Sequence, residues 1–158
     1  MTLHVVAVGR VRDAALRAAC DEYLKRLRRH GGVTVYEVAD AGRAGATPAV
    51  ARRIEAERLR AACPARAYLV ALTRTGRDRT SEQLAEQLGR WRESPRDVAV
   101  LIGGAWGLAD SLLAEADATL SLSALTLPHE LARLVLLEQL YRAATILRGE
   151  PYHKGRAR

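Results

Sequence analysis

Phenylalanine is absent from the 158 residues, and aromatic residues together make up only 4%. A hydrophobic core therefore cannot rest on packed rings and must be built from Leu, Val and Ala. Cysteine is nearly absent too, with two residues. Cys20 and Cys63 lie in apolar, helix-like contexts (AACDEYL and AACPARA) without metal-ligand spacing, so no metal site is expected and buried free thiols are. A disulfide between them stays open at this stage. No run approaches the roughly eighteen apolar residues that mark a membrane span. The opening MTLHVVAVGRVRD has a short apolar run but neither a basic leader nor a cleavage site. These absences give the expectation of a soluble, cytoplasmic protein. There is no linker, repeat or low-complexity tract, and the length suits a single domain over residues 1–158. Acid is also in short supply. Asp and Glu number 18 against 25 Lys and Arg, a net charge of +7. That balance favours a polyanionic partner, nucleic acid first, because Lys and Arg release counterions from phosphates. The plainer reading is an Arg-rich solvated surface.

What is present alternates. Short apolar runs at residues 3–8, 33–38, 67–72, 98–102 and 119–122 read as strands. Helical spacing fills the segments between them, at 13–29, 47–62, 80–92 and 109–115, and a long helix at 129–147 closes the chain. Thr47-Pro48 is a helix start, and Thr80 or Ser81 caps the next. Residues 39–47, with Gly42 and Gly45, read as a loop. Strand–helix alternation predicts an α/β fold with a mainly parallel sheet and helices on both faces. In such sheets ligands sit beyond the carboxyl ends of strands. The ends that draw notice are Leu72 into TRTGR, Ile102 into GGAWG, and Leu122 into SALTLPH.

In GGAWG, adjacent Gly103 and Gly104 allow positive φ and close backbone approach to a ligand. The motif is neither G-x-G-x-x-G nor a Walker loop, and a tight strand-to-helix turn explains it equally well. The stretch LSLSALTLPHEL, residues 120–131, carries no charge before Glu130 in a chain that is 27% charged. Ser123, Thr126 and the backbone amides there suit a neutral heteroaromatic ring such as adenine, read without burying charge. A core strand with an irregular end is the alternative. The last helix, LARLVLLEQLYRAATIL, is apolar on all sides and must be covered on all sides, which predicts a partner surface and most simply a homodimer. Arg133 and Arg142 interrupt it, and a phosphate or carboxylate is expected beside each. Arg142 has Glu138 one turn back. In the tail, Tyr152 can stack on a base, His153 can exchange a proton, and Lys154, Arg156 and Arg158 can hold phosphates. A frayed basic terminus is the competing view.

LIGGAWGL (101–108), SLSALTLPH (121–129) and EQLYRAATILRGEPYH (138–153) occur in one order and spacing. With LHVVAVGRVRD and EYLKRL of the first helix, they closely resemble the SPOUT-class bacterial methyltransferases that modify N3 of a pseudouridine in large-subunit (23S) ribosomal RNA. The resemblance covers nearly the whole chain. It implies a C-terminal trefoil knot, S-adenosylmethionine as cofactor, a homodimer whose active site draws on both subunits, and the ribosome as partner. It implies cofactor contacts at Leu72, Gly103, Gly104, Leu122, Ser123, Ala124, Leu125, Thr126, Leu127 and Pro128. His129, His153 and Arg142 become the catalytic candidates, and Arg133, Tyr152 and Lys154 the RNA contacts. His129 can equally cap the helix it begins. The chain departs from its relatives at Ala105-Trp106, where many have Pro-Glu. It also departs at Leu72-Thr73 and Gly76-Arg77, where Leu-Asp and Gly-Lys are frequent. A SPOUT enzyme with another RNA target, or a non-catalytic ribosome-binding factor on the same scaffold, also fits the residues.

Overall fold

The computed structural model describes residues 1–42 and 45–154, with His153 placed by its backbone. The elements are β1 (Leu3–Val8), α1 (Ala14–Leu27), β2 (Thr34–Val38), α2 (Pro48–Ala62), β3 (Tyr68–Leu72), α3 (Ser81–Glu93), β4 (Val98–Ile102), α4 (Asp110–Glu115), β5 (Ala118–Leu120) and α5 (His129–Leu147). Short 3-10 turns follow α1 at Arg28–His30 and α5 at Pro151–His153. The expected order of elements is the observed one, with ends shifted by a residue or two.

All five strands pair in parallel, in the order β2-β1-β4-β3-β5. The steps β1 to β2 and β3 to β4 run one way across the sheet, and β2 to β3 and β4 to β5 run the other. Because parallel crossovers are right-handed, opposite steps place their helices on opposite faces. Alternate strand residues divide accordingly. Val5, Ala7, Val70 and Val100 pack with α1, α3 and α5. Val6, Val8, Leu69, Ala71 and Leu101 pack with α2 and α4. Cys20 belongs to the first layer and Cys63 to the second, so the sheet separates the two free thiols. Burial pushes the Cys63 thiol up to about 11, which keeps it protonated and inert.

Polar side chains start the helices. Asp13 Oδ1 accepts the Leu16 N–H at 2.9 Å. Thr47 accepts from Val50, with Pro48 in the first turn. Thr80, rather than Ser81, forms a capping box: Gln83 N–H donates to its hydroxyl, and Gln83 Oε1 accepts the Thr80 N–H.

The fifth strand is shorter than its alternation implies. Pairing with β3 ends at Leu120, and Ser121 keeps an isolated bridge to Asp78. The loop after β3 takes over beyond that point. Thr73 N–H donates to the Leu120 carbonyl at 2.9 Å, and Ser121 N–H donates to that of Arg77 at 3.0 Å. The Ser121 hydroxyl donates to the Arg74 carbonyl at 3.2 Å. Gly76 permits this wrapping, since a Cβ there would stand 2.7 Å from the Leu120 carbonyl carbon.

Helix α5 buries Leu136, Leu137, Leu140, Ala143 and Ala144 between α1 and α3. Leu131, Leu134 and Val135 remain half-buried on its other side. Arg133 does not face outward, and its expected role as an RNA contact is corrected here. Its side chain is 3% exposed. Nη1 donates to Glu37 Oε1 on β2, and Nη2 donates to the Gly9 carbonyl at 2.7 Å. The carboxylate expected beside this arginine is Glu37, inside the same chain.

Two stability predictions follow from this packing. Arg133→Met leaves the Gly9 carbonyl without its donor and should cost about 1–3 kcal/mol in urea unfolding, whereas an RNA-facing arginine would leave stability unchanged. Gly76→Ala forces the loop off the Leu120 backbone and should cost about 1–3 kcal/mol by overpacking. A variant as stable as the parent in the same titration would contradict this close approach.

Candidate active site

A cleft of about 530 Å³ opens at the carboxyl ends of β3 and β4. Three loops form it: 72–74 after β3, 103–108 after β4, and 122–128 before α5. Its walls are mostly apolar, with Leu72, Ile102, Leu108, Leu122 and Leu127 on the sides and Trp106 at 52% exposure on the rim. Charge is confined to Arg52 from α2, Arg74, and Asp110 in the first turn of α4.

The loop before α5 is braced by its own hydroxyls. Leu125 N–H donates to Ser123 Oγ at 2.9 Å, and Ser121 Oγ donates to the Ser123 carbonyl at 3.1 Å. Leu125 is thereby held 75% exposed over the cleft, although an apolar side chain gains nothing from water. The Thr126 hydroxyl makes no hydrogen bond among the described residues and lines the cleft. Such an arrangement can hold a planar apolar body between aliphatic walls and satisfy its polar edge from the backbone.

The glycines of GGAWG act differently from the sequence expectation. Neither Gly103 nor Gly104 has positive φ; that conformation falls on Gly107, at φ 75°. Gly103 is required by space, since a Cβ would lie 2.6 Å from the Gly107 carbonyl carbon. Gly104 is less crowded, facing the side chains of Val8 and Glu55, with a Cβ 3.0 Å from Val8 Cγ1.

Of the residues expected at the cofactor, Leu72, Gly103, Gly104, Leu122, Ser123, Leu125, Thr126, Leu127 and Pro128 line the cleft, and Ala124 does not. His129 lines it as well. It is the first residue of α5 and makes no capping bond, because the N-cap position is Pro128.

The tail group lies elsewhere. Arg142 donates twice to Glu138 Oε1, at 3.1 and 2.6 Å. Tyr152 donates to the same oxygen at 3.1 Å, and its hydroxyl lies 3.2 Å from that of Tyr23. The Arg142 guanidinium covers the Tyr152 ring at 4.9 Å, and Tyr141 meets its edge at 4.7 Å between centroids. Burial, then the Tyr23 hydroxyl and the Glu138 carboxylate, push the Tyr152 phenol up. Tyr152 is therefore fastened within its own chain, with its ring half-buried. Lys154 is exposed. The His153 side chain, Arg156 and Arg158 lie outside the described residues. Arg142 stands about 20 Å from His129 along α5 at ~1.5 Å per residue, so one chain does not bring these two candidates together.

Sequence reasoning missed Arg52, Arg74, Trp106 and Asp110. Asp110 carried a signal, as an acid in the first turn of the helix that follows GGAWG. Arg52 carried none, because nothing distinguishes it from its neighbour Arg53 on an arginine-rich helix. Among the described residues, no group of three or more His, Cys, Asp or Glu could hold a metal, and no helix is long and apolar enough to cross a membrane.

Comparison with known proteins agrees with this geometry. The family model described as "Predicted SPOUT methyltransferase" matches residues 1–153. A protein of Anaeromyxobacter sp. (strain Fw109-5) named Ribosomal RNA large subunit methyltransferase H is 51% identical over 154 residues, covering 98% of this chain and 100% of that one. The protein of the same name from Dechloromonas aromatica (strain RCB) is 44% identical, covering 98% of this chain and 99% of its own. A solved structure of a "probable methylase family protein" from Haemophilus influenzae Rd KW20 shares the fold at a TM-score of 0.55 and 13% identity, over 97% of this chain and 70% of that one. The chain belongs to the SPOUT methyltransferase family.

Proposed function

We propose that this protein is an S-adenosylmethionine-dependent methyltransferase of large-subunit (23S) ribosomal RNA, and that it methylates N3 of a pseudouridine on assembled ribosomes. The observation that carries the reading is the uncharged loop 122–128, braced over a cleft at the strand ends. Relatives of matching length named for large-subunit ribosomal RNA methylation support the substrate class. That class also implies a cytoplasmic location. The residues present fit the cofactor. Leu72, Leu122, Leu125 and Leu127 suit the faces of an adenine, and the backbone of 123–128 suits its edge. Arg52, Arg74 and Asp110 offer both signs of charge to a zwitterionic amino-acid end.

The cofactor, when bound, supplies an electrophilic methyl group on a sulfonium. The chain's work is mostly positioning, by holding the reacting atoms in line and keeping water out of the apolar cleft. N3 of the base carries a proton that must leave as the N–C bond forms, and a side chain within reach of N3 assists by taking it. His129 stands at the cleft, and His153 belongs to the tail. Arg142, held by Glu138, steadies the substrate, and exposed Lys154 meets RNA phosphate.

A homodimer completes the site in this reading. The half-buried stripe of Leu131, Leu134 and Val135 offers the contact surface, and a second copy brings its tail to the cleft that its own chain leaves alone. The knot belongs to the same proposal. Its support is the β3 loop, which bonds to Leu120 and Ser121 where the chain passes toward α5.

Leu125→Glu places a charge on the cleft wall at a residue that supports no packing. It should abolish calorimetric binding of S-adenosylmethionine while thermal unfolding stays unchanged. Micromolar affinity retained in that variant would place the pocket elsewhere. Of His129→Ala and His153→Ala, the one that removes the base should lower single-turnover methyl transfer by about 10²–10⁴, with cofactor affinity intact. If neither does, positioning alone drives the reaction.

A further inference from the structure

Behind the cleft wall lies an acidic group that the mechanism above does not use. Glu55 occupies the buried stripe of α2 with Ala51, Ala56 and Leu59, and is 2% exposed. Its Oε1 accepts the Ala41 N–H at 3.0 Å, while its Oε2 is buried with no hydrogen-bond partner. Asp40 stands beside it, with Oδ1 accepting the Gly42 N–H at 2.6 Å. Burial, and Asp40 against the opposing pull of the Ala41 N–H, raise the Glu55 carboxyl. Among the described residues neither carboxylate makes an ion pair. The Arg58 guanidinium, which pulls the Glu55 carboxyl the other way, donates its hydrogen bond to the Ala39 carbonyl at 2.8 Å.

The position of this pair relative to the cleft is specific. A Cβ on Gly104 would stand 3.2 Å from Glu55 Oε2, and Gly104 lines the cleft. A Cβ on Gly42 would stand 3.2 Å from Asp40 Oδ1 and 3.4 Å from Trp106 Nε1, and Trp106 also lines it. The two carboxylates thus lie directly behind the wall made by Gly104 and Trp106. A glutamine would hold the Ala41 N–H equally well and carry no charge. Among the described residues Oε2 has no hydrogen-bond donor, and burying a carboxylate with so little compensation is costly; a cation on the other side of the wall would supply what it lacks.

We propose that Glu55, with Asp40 beside it, is a specificity-determining group that attracts the cationic part of the bound cofactor through the Gly104 backbone. The inference rests on the reading that the cleft holds S-adenosylmethionine. That molecule carries positive charge as an ammonium and as a sulfonium. Transfer of the methyl group erases the sulfonium and leaves S-adenosylhomocysteine with the ammonium alone. Glu55 touches neither group. It acts at short range through a low-dielectric wall, where one unit charge is worth about tenfold in affinity. If it acts on the sulfonium, the cleft holds the substrate form more tightly than the product and favours product release.

Calorimetry on the full chain, parent against Glu55→Gln, tests this with three ligands. S-adenosylmethionine carries both charges, S-adenosylhomocysteine carries the ammonium, and methylthioadenosine carries neither. Glu55→Gln should weaken S-adenosylmethionine about tenfold and leave methylthioadenosine unchanged. A parallel loss for S-adenosylhomocysteine assigns the effect to the ammonium; an unchanged value assigns it to the sulfonium. Equal losses for all three ligands, or none, would overturn the proposal and leave Glu55 a structural clamp. Asp40→Asn, which keeps Glu55 in place, should show the same pattern more weakly, and it decides the matter if Glu55→Gln does not fold. A parent protein that binds none of the three would sink the cofactor reading itself, and this proposal with it.

Discussion

The site depends on how the loop after β3 holds the chain between Leu120 and Ser123. Backbone donors and acceptors on Thr73, Arg74 and Arg77 take the positions that a longer fifth strand would have used. With β5 stopped at Leu120, residues 122–128 are released from the sheet and swing across the ends of β3 and β4. A continued strand would have buried alternate leucines in the core. The released segment places Leu122, Leu125 and Leu127 on a cleft wall instead. Ser121 and Ser123 supply hydrogen bonds that the ladder no longer provides. This explains a segment that is rich in small hydroxyls and free of charge.

The last helix joins this cleft to the rest of the molecule. Its first residue, His129, lines the cleft, and its middle fills the core between α1 and α3. Its far end carries the cluster of Tyr141, Arg142 and Tyr152 around Glu138. Two arginines of similar sequence appearance meet different fates on it. Arg133 points inward to Glu37 and the Gly9 carbonyl, and so ties α5 to the ends of β1 and β2. Arg142 points outward, paired with Glu138 and stacked on Tyr152, where it can still present charge to a substrate.

The parallel α/β fold was legible because apolar runs and helical spacing alternate without interruption, and helix starts such as Thr47-Pro48 and Thr80 carry their own signals. The cleft was legible in part, through the uncharged, hydroxyl-bearing stretch LSLSALTLPH. Other features depend on contacts between distant segments, which a linear pattern does not encode. A phosphate or carboxylate was expected beside Arg133, but the sequence did not say which, because its partner Glu37 lies 96 residues away. Gly103 and Gly104 looked like turn residues, yet it is Gly107 that adopts the left-handed backbone while they make room for packed neighbours. Glu55 could have been noticed, since it falls on the same helical stripe as Ala51 and Leu59, where an acid is out of place.

The most direct measurement is methyl transfer to ribosomes that lack the modification. Purified protein and labelled S-adenosylmethionine would be added, and the product mapped by mass spectrometry of ribosomal RNA fragments. The account predicts one methyl group on a pseudouridine of the large-subunit RNA, at N3. A label on another RNA, or no label from a protein that binds the cofactor normally, would contradict it.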